Sequence, residues 1–159
     1  MDNIKLIAPC LFGVESIAAD EFRRMGFESV TAENGRVKLS GGINMLARAN
    51  ICSRYAERIM IDVGEFRAAT FTELFDGVKS IVERLKQKYH ISHFEETGAE
   101  YRVRFFIYKN VASLMIDTSG EGLHKRGYRR KSNDAPLKET LGAAMCDLAR
   151  IYPDTLMFD

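Results

Sequence analysis

The spacing of hydrophobic residues changes repeatedly along the first third of the chain, between the period of a strand and that of a helix. Four segments have the apolar runs or two-residue alternation of strands: 4–11, 28–33, 36–40 and 59–63. Between them, residues 14–25 and 43–51 repeat apolar positions every three or four residues, as amphipathic helices do. The order strand, helix, strand, strand, helix, strand predicts a ferredoxin-like βαββαβ unit over residues 1–66.

Two local features refine this N-terminal unit. Asn34-Gly35 separates the second and third strands, and this dipeptide favours the type I′ turn of a hairpin. The second helix is expected to bury one apolar face against the sheet. That face comprises Ile43, Leu46, Ala47 and Ile51.

The next segment begins with a helix signal. Thr70 and Glu73 have the spacing of a capping box, in which each residue satisfies a backbone N–H at the helix start. One apolar stripe follows, and a helical stripe of this kind most often packs in a core. The stripe comprises Phe71, Leu74, Phe75, Val78, Val82, Leu85 and Tyr89.

Strand and helix patterns also mark the last third of the chain. Alternating residues predict two antiparallel strands, over 101–108 and 112–116, joined by a turn at Lys109-Asn110. A last helix is expected from Pro136, because proline is tolerated in a first helical turn. Residues 156–158 have the character of a further strand. The whole chain is therefore expected to have an α+β fold.

Composition limits the possible settings of the protein. No apolar run approaches the roughly 20 residues needed to span a bilayer, and the N-terminus lacks the basic region of a secretory signal, so we expect a cytoplasmic protein without a membrane partner. Cys10, Cys52 and Cys146 are too far apart for a common zinc motif and are expected to be buried, reduced thiols. His90 and His93 have no further ligands nearby in sequence, so surface or helix-capping roles are expected and no metal.

Charge is distributed unevenly despite a formal net charge of +1. Residues 102–131 contain eight Arg or Lys and two acids, which leaves the rest of the chain with an excess of acids. A local cationic excess is typical of a phosphate-binding partner, although a solvated basic loop has the same composition.

The candidate RNA-binding residues lie in one cationic segment, residues 123–131. They are Lys125, Arg126, Tyr128, Arg129, Arg130 and Lys131. Lys and Arg bind phosphate oxygens, and a Tyr ring or an Arg plane can stack on an unpaired base. Gly127 allows a positive φ or a close backbone approach. A basic linker that ties two domains together by salt bridges is the alternative interpretation.

This segment also resembles a family signature. Residues 122–129, Gly-Leu-His-Lys-Arg-Gly-Tyr-Arg, followed by 135–141, Ala-Pro-Leu-Lys-Glu-Thr-Leu, resemble the bacterial THUMP-domain rRNA guanine-N2-methyltransferases. Residues 10–15 resemble the first strand-to-helix junction of that family, and 94–98 and 116–120 resemble its THUMP strands. The resemblance extends over essentially the whole chain.

The resemblance implies a three-part enzyme that methylates the exocyclic N2 of guanine in large-subunit rRNA. A ferredoxin-like domain is followed by a THUMP domain that helps to hold RNA, and then by a Rossmann-like domain that binds S-adenosylmethionine. On this basis we divide the chain into a ferredoxin-like domain at 1–66, a THUMP-like domain at 67–122, and a basic linker, helix and first methyltransferase strand at 123–159. The expected partners are rRNA and a methyltransferase domain in cis.

The sequence departs from the family in two places. The family's cofactor loop, Asp-Pro-Phe-Cys-Gly-Ser-Gly-Thr, is represented only by Asp159, and the motif that positions the target amine is absent. The family also has several dozen more residues between the positions that match Ser80 and Ile81. We therefore expect an incomplete THUMP-like unit, no S-adenosylmethionine site in this chain, and no catalysis by this chain alone.

Two other functional classes remain open. An independent enzyme would need a Gly-rich loop after a strand, a nucleophile with its base, or clustered carboxylates, and only His124 stands out as a possible base. A truncated or degenerate remnant of the methyltransferase, without independent activity, is the stronger alternative to an RNA-binding module.

Overall fold

The computed structural model describes residues 3–90, 100–127, 136–152 and 154–156. The chain forms two compact units. The first contains Met1–Ile61 together with Thr118–Asp159, and the second contains Asp62–Asp117. The domain boundaries predicted from the sequence lie at 66/67 and 122/123. The structure instead groups the C-terminal part of the chain with the N-terminal domain in one unit.

The first unit has the βαββαβ order that the sequence predicts. Its elements are β1 (Ile4–Pro9), α1 (Glu15–Arg24), β2 (Ser29–Glu33), β3 (Arg36–Gly41), α2 (Ile43–Cys52) and the start of β4 (Met60–Arg67). The strand order is β2-β3-β1-β4. β1 is antiparallel to both β3 and β4, with Leu6 opposite Leu39 and Ile61. The ferredoxin-like fold is therefore confirmed, and β1 and β4 lie in the same sheet.

The hairpin between β2 and β3 is confirmed, but its predicted turn type is wrong. Glu33 pairs with Arg36 across a two-residue loop. Only Gly35 has a positive φ, of 70°, whereas a type I′ turn requires positive φ at both central residues. Lys109 and Asn110, between the later strands, have φ values of 49° and 61° and therefore the type I′ combination.

The core of the first unit lies between the sheet and helices α1 and α2. Phe22 of α1 is fully buried and meets Phe27 edge to face, with ring centroids 5.6 Å apart. Leu46 and Ala49 are the buried residues of α2, whereas Ile43 and Ile51 are exposed. Of the four residues on the predicted apolar face of α2, Leu46 is therefore buried and the others are exposed, because this ten-residue helix has apolar residues on several sides and spacing alone does not select the packed one.

The second unit consists of the rest of β4 with α3 (Phe71–Tyr89), β5 (Val103–Tyr108) and β6 (Val111–Asp117), in strand order β4-β6-β5. The capping box at the start of α3 is confirmed. Thr70 Oγ1 accepts from Glu73 N at 3.2 Å, and Glu73 Oε2 accepts from Ala69 N at 2.7 Å. The helix then continues without a break through Ser80.

The apolar stripe of α3 is not the core face that its spacing suggests. Phe71, Phe75 and Leu85 are exposed, Phe71 to 82%. None of the described α3 side chains is fully buried. Within the described residues, the unit covers this 19-residue helix only in part, so that Leu74, Val78 and Val82 are half-buried.

The last helix, α4 (Glu139–Leu148), belongs to the first unit and buries Thr140 and Ala144. Of the predicted final strand, Leu156 is described and is exposed outside any strand; residues 157–158 lie outside the described residues. Cys10 is buried as expected, but Cys52 and Cys146 are exposed, so the expectation of three buried thiols was wrong. No helix in the described ranges is both long and apolar enough to span a bilayer.

Candidate nucleic-acid interface

The structure describes two of the six predicted RNA-binding residues, Lys125 and Arg126. The other four, Tyr128, Arg129, Arg130 and Lys131, lie outside the described residues and stay predictions. The described start of the cationic segment, residues 123–127, belongs to the first unit, and we call it the 123–127 segment.

Arg126 points into the protein and closes the C-terminal end of α2. Its Nη2 donates to the carbonyls of Asn50 at 2.9 Å and Ser53 at 2.7 Å, and its Nη1 donates to the Ile51 carbonyl. Nε donates to the carbonyl of Leu123 within the same segment at 3.0 Å. The last carbonyls of a helix have no partner within it and carry partial negative charge. Because the last turn of α2 has no basic residue of its own, Arg126 supplies the missing cation.

The residues that follow α2, next to the carbonyls that Arg126 binds, also form hydrogen bonds with Glu21 of α1. Ser53 Oγ donates to Glu21 Oε2 at 2.9 Å, and the Arg54 backbone N and Nε donate to the same carboxylate. Glu21 is only 4% exposed, so this α1 carboxylate is buried with its hydrogen-bond partners. The α2 terminus is therefore a fixed anchor for the 123–127 segment.

Glu57 provides a second anchor for the C-terminal part of the chain. Its backbone carbonyl accepts from Leu123 N at 2.9 Å. Its carboxylate accepts from Thr140 Oγ1 at 2.9 Å and from Lys138 Nζ at 3.3 Å, at the start of α4. His124 Nδ1 lies 3.3 Å from the same carboxylate, without hydrogen-bond alignment, and forms an ion pair when the imidazole is protonated. One residue thus fixes both the 123–127 segment and the α4 N-terminus.

Lys125 is an exposed cation of this arrangement, as is Lys138. Its backbone N donates to the Gly122 carbonyl at 2.9 Å, which forms a turn, and Gly127 has a φ of 77°. A cleft of about 460 Å³ lies between this turn and the start of α4, lined in part by His124, Lys125 and Lys138. Cationic side chains therefore border an open cleft at the point where the chain enters residues 128–131.

The sequence identified the cationic segment but not the residues that hold it. Glu57 and Glu21 belong to no motif in the sequence that would mark them as partners of residues so far away. Arg126 was singled out for phosphate contact, whereas its described contacts are all backbone carbonyls. His90, considered for capping, is the C-cap residue of α3 with a φ of 54°, and no group of metal-ligating side chains occurs in the described part of the chain.

The described residues do not fit an S-adenosylmethionine site. Such a site in a Rossmann-like domain uses a Gly-rich loop at the carboxyl end of parallel strands. β1, β3 and β4 of the first unit are antiparallel neighbours, as are β5 and β6 of the second.

The first unit is therefore an antiparallel ferredoxin-like domain to which the cationic 123–127 segment is attached. Residues 5–60 match the model of the RlmL ferredoxin-like domain.

Related proteins extend the similarity to the rest of the chain. The chain is 35% identical to “Putative RNA methyltransferase YpsC” of Bacillus subtilis over 198 aligned positions, which include all of this chain and 51% of that protein. The chain thus spans about half the length of this curated relative. Because 198 positions exceed the 159 residues of the chain, the relative has additional residues within the aligned region.

Solved structures show the same fold. A protein of Listeria monocytogenes, described as a “predicted N6-adenine-specific DNA methylase”, is 35% identical with a TM-score of 0.86, over 97% of this chain and 50% of that one. SMU.472, “a putative methyltransferase complexed with SAH”, is 33% identical with a TM-score of 0.83, over 97% of this chain and 51% of that one. TrmN from Thermus thermophilus, 17% identical with a TM-score of 0.61, shares the fold.

Proposed function

We propose that this chain is the RNA-binding part of an RNA methyltransferase and presents structured RNA to a methyltransferase domain in cis. The RlmL-type domain and the name of the Bacillus relative support this class. In its finer form, the RNA is large-subunit rRNA and the reaction is S-adenosylmethionine-dependent methylation of guanine N2, as the THUMP-family signature implies. The compartment is then the cytoplasm, where bacterial rRNA is found.

The fixed position of the 123–127 segment supports the proposal most directly. A mobile basic tail loses conformational entropy when it binds, whereas a segment already held by Arg126 and Glu57 loses less. Lys125 lines a cleft of about 460 Å³, and the cations at 129–131 follow it within six positions of the sequence.

The structure changes the role that we assign to Arg126. Each of its three guanidinium nitrogens already donates to a backbone carbonyl. Binding a phosphate with this residue would require breaking those bonds. We therefore propose that Lys125, Tyr128, Arg129, Arg130 and Lys131 contact RNA and that Arg126 positions them.

The test is a filter-binding series with the full chain and a hairpin from large-subunit rRNA, at several salt concentrations. Lys125, Arg129, Arg130 and Lys131 are changed together to Ala. If each contacts a phosphate, affinity falls and the log–log salt slope decreases by roughly 0.7 to 0.9 per lost contact. The control changes Lys79, Arg84, Lys86 and Lys88 of α3 to Ala and so removes the same charge from another surface.

Equal losses in the two quadruple variants would mean that only net charge matters, which contradicts the proposed site. A folded chain that binds no RNA would contradict the function. That result would favour a remnant of the methyltransferase without independent activity. The exposed stripe of α3 and the additional residues of the relative are the observations that favour this alternative.

A further inference from the structure

One face of β5 in the second unit carries two aromatic side chains beside cationic ones. The rings of Phe106 and Tyr108 are nearly parallel, with an interplanar angle of 19° and centroids 6.4 Å apart. They are 42% and 45% exposed. Lys109 Nζ lies 5.3 Å from the centre of the Tyr108 ring, in a cation–π contact. Arg104 precedes them at the same two-residue spacing and therefore lies on the same face.

Two contacts show which face of the second unit this is. Gly77 of α3 lies against the ring of Phe66 in β4, so α3 covers the face to which Phe66 belongs. The preceding residue, Glu65, lies on the other face and accepts a hydrogen bond from Ser113 Oγ at 3.0 Å. Ser113 pairs with Phe106 across β5 and β6, so both share its face. The aromatic pair therefore lies on the face of the sheet that does not carry α3.

The cations beside the aromatic pair are held in place. Arg104 Nε donates to Asp117 Oδ2 at 2.8 Å, and the Asp117 side chain is buried while that of Arg104 remains 42% exposed. Lys109 occupies a turn position with positive φ, where Asn or Gly has a lower conformational cost. The Arg104 side chain is thus held by Asp117 and that of Lys109 by the Tyr108 ring, and both remain near solvent.

We infer that this face binds single-stranded RNA, with bases stacked on Phe106 and Tyr108 and phosphates near Arg104 and Lys109. Stacking on exposed aromatic residues of a sheet is a general mode of single-strand recognition, and neighbouring cations neutralise the backbone. A protein partner would also cover exposed aromatic residues, but Lys is depleted from protein interfaces, and Lys109 lies directly over a ring. The inference rests on the proposed function only in taking RNA as the ligand, and its site is separate from residues 123–131.

The first experiment compares neighbouring residues on opposite faces of one strand. Phe106→Ala, Tyr108→Ala and Phe105→Ala are made in the full chain, and binding to a decauridylate and to an abasic ribose-phosphate decamer is measured. Loss of one stacked base should weaken decauridylate binding by about 5- to 150-fold for Phe106→Ala and Tyr108→Ala. Phe105 is also exposed but lies on the other face, so Phe105→Ala should match the wild type. Binding to the abasic decamer should not change in any of the three.

The second experiment uses tryptophan fluorescence, because the chain contains no Trp. Tyr108→Trp introduces a single emitter in the aromatic pair, and decauridylate should quench it. Phe71→Trp places the emitter at an exposed position of α3 in the same unit and should show no quenching.

The outcomes separate this inference from the proposed function. If the 125, 129, 130 and 131 variant loses affinity while the Phe106 and Tyr108 variants do not, this inference is wrong and the proposed function stands. If the Phe106 and Tyr108 variants lose affinity while the quadruple variant does not, RNA binding by this face of β5 is supported and RNA binding by the cationic segment is rejected. Absence of any RNA binding rejects both. Equal losses in Phe105→Ala and Phe106→Ala, or a dimer that Phe106→Ala dissociates in sedimentation, would also reject stacking.

Discussion

Arg126 Nη2 lies 2.9 Å from the backbone carbonyl oxygen of Asn50, a residue 76 positions earlier in the chain. This bond joins the cationic segment to the end of α2. A residue selected by its charge for a role at the surface is therefore a structural element of the ferredoxin-like unit.

Arg126→Ala should destabilise the first unit. It leaves the carbonyls of Asn50, Ile51 and Ser53 without their cationic donor, and we expect the free energy of unfolding to fall by about 2 kcal/mol. Urea denaturation followed by circular dichroism measures the change. Lys125→Ala, at the exposed neighbouring position, should stay within about 0.5 kcal/mol of the wild type. Indistinguishable midpoints for the two variants would show that the Arg126 bonds contribute little in solution.

Glu15 should make stability depend on pH. Its carboxylate accepts from Gly35 N at 2.9 Å and from Gly13 N at 2.8 Å, and these backbone N–H groups, that of Gly35 above all, lower the pKa of Glu15. A lowered pKa in the folded state means that the stabilisation is complete above the unfolded-state value. It is lost as the pH falls through the folded-state value.

The test compares Glu15→Gln with the wild type at pH 7 and at successively lower pH. The variant should be less stable at pH 7, by no more than about 1 kcal/mol because the carboxylate is close to solvent, and the difference should vanish in acid. Glu28→Gln is the control at an exposed acid. A difference that stays constant down to acid pH would exclude the carboxylate as its cause.

The three cysteines should differ in reactivity. Burial raises the pKa of the Cys10 thiol to about 12, with further contributions from Glu15 and Glu57. A thiol of that pKa forms almost no thiolate at pH 8, whereas Cys52 and Cys146 are exposed. A thiol reagent should therefore modify two cysteines in the native chain and three in urea. Cys10→Ser should leave the native value at two, and a native value of three would contradict the burial.

Phe75 and Phe22 should differ sharply in their contribution to stability. Phe75→Ser removes a ring that is 59% exposed, and we expect a change within about 0.5 kcal/mol. Phe22→Ala empties a fully buried site and should cost about 3–5 kcal/mol. Thermal or urea denaturation compares the two. A large loss from Phe75→Ser would mean that the α3 stripe is covered in solution, for example by a second copy of the chain.

The parts of the fold that depend on local spacing were predictable from the sequence. The order of the first six elements, the hairpin at Gly35 and the Thr70 cap all depend on residues within a few positions of one another. The buried face of α2 was not predictable, because Ile43 and Leu46 are equally apolar and only the packed structure distinguishes them. The α3 stripe was mispredicted for the opposite reason: its spacing is that of a core helix, although Phe71, Phe75 and Leu85 are exposed in the structure.

The candidate site was predictable in composition but not in geometry. The cationic excess is visible in the sequence, and Lys125, one of its members, is exposed in the structure. The orientation of Arg126 depends on carbonyl groups more than 70 positions away, which no sequence pattern shows. Phe106 and Tyr108 alternate with other aromatic and apolar residues in β5, so their shared exposed face becomes clear only from the pairing with β6.

The division of the first unit into two stretches of chain affects the order in which it can form during synthesis. Thr118 N donates to the Ile59 carbonyl at 3.1 Å. The two stretches of the first unit are therefore in contact close to the positions where the chain enters the second unit and returns from it. Arg126 can therefore bind the carbonyls at the end of α2 only after the ribosome has synthesised all of residues 62–117. A nascent chain halted before residue 118 would hold βαββα elements whose last helix carbonyls are still hydrated. Closure of this loop is a late, long-range step that local helix and hairpin formation cannot replace.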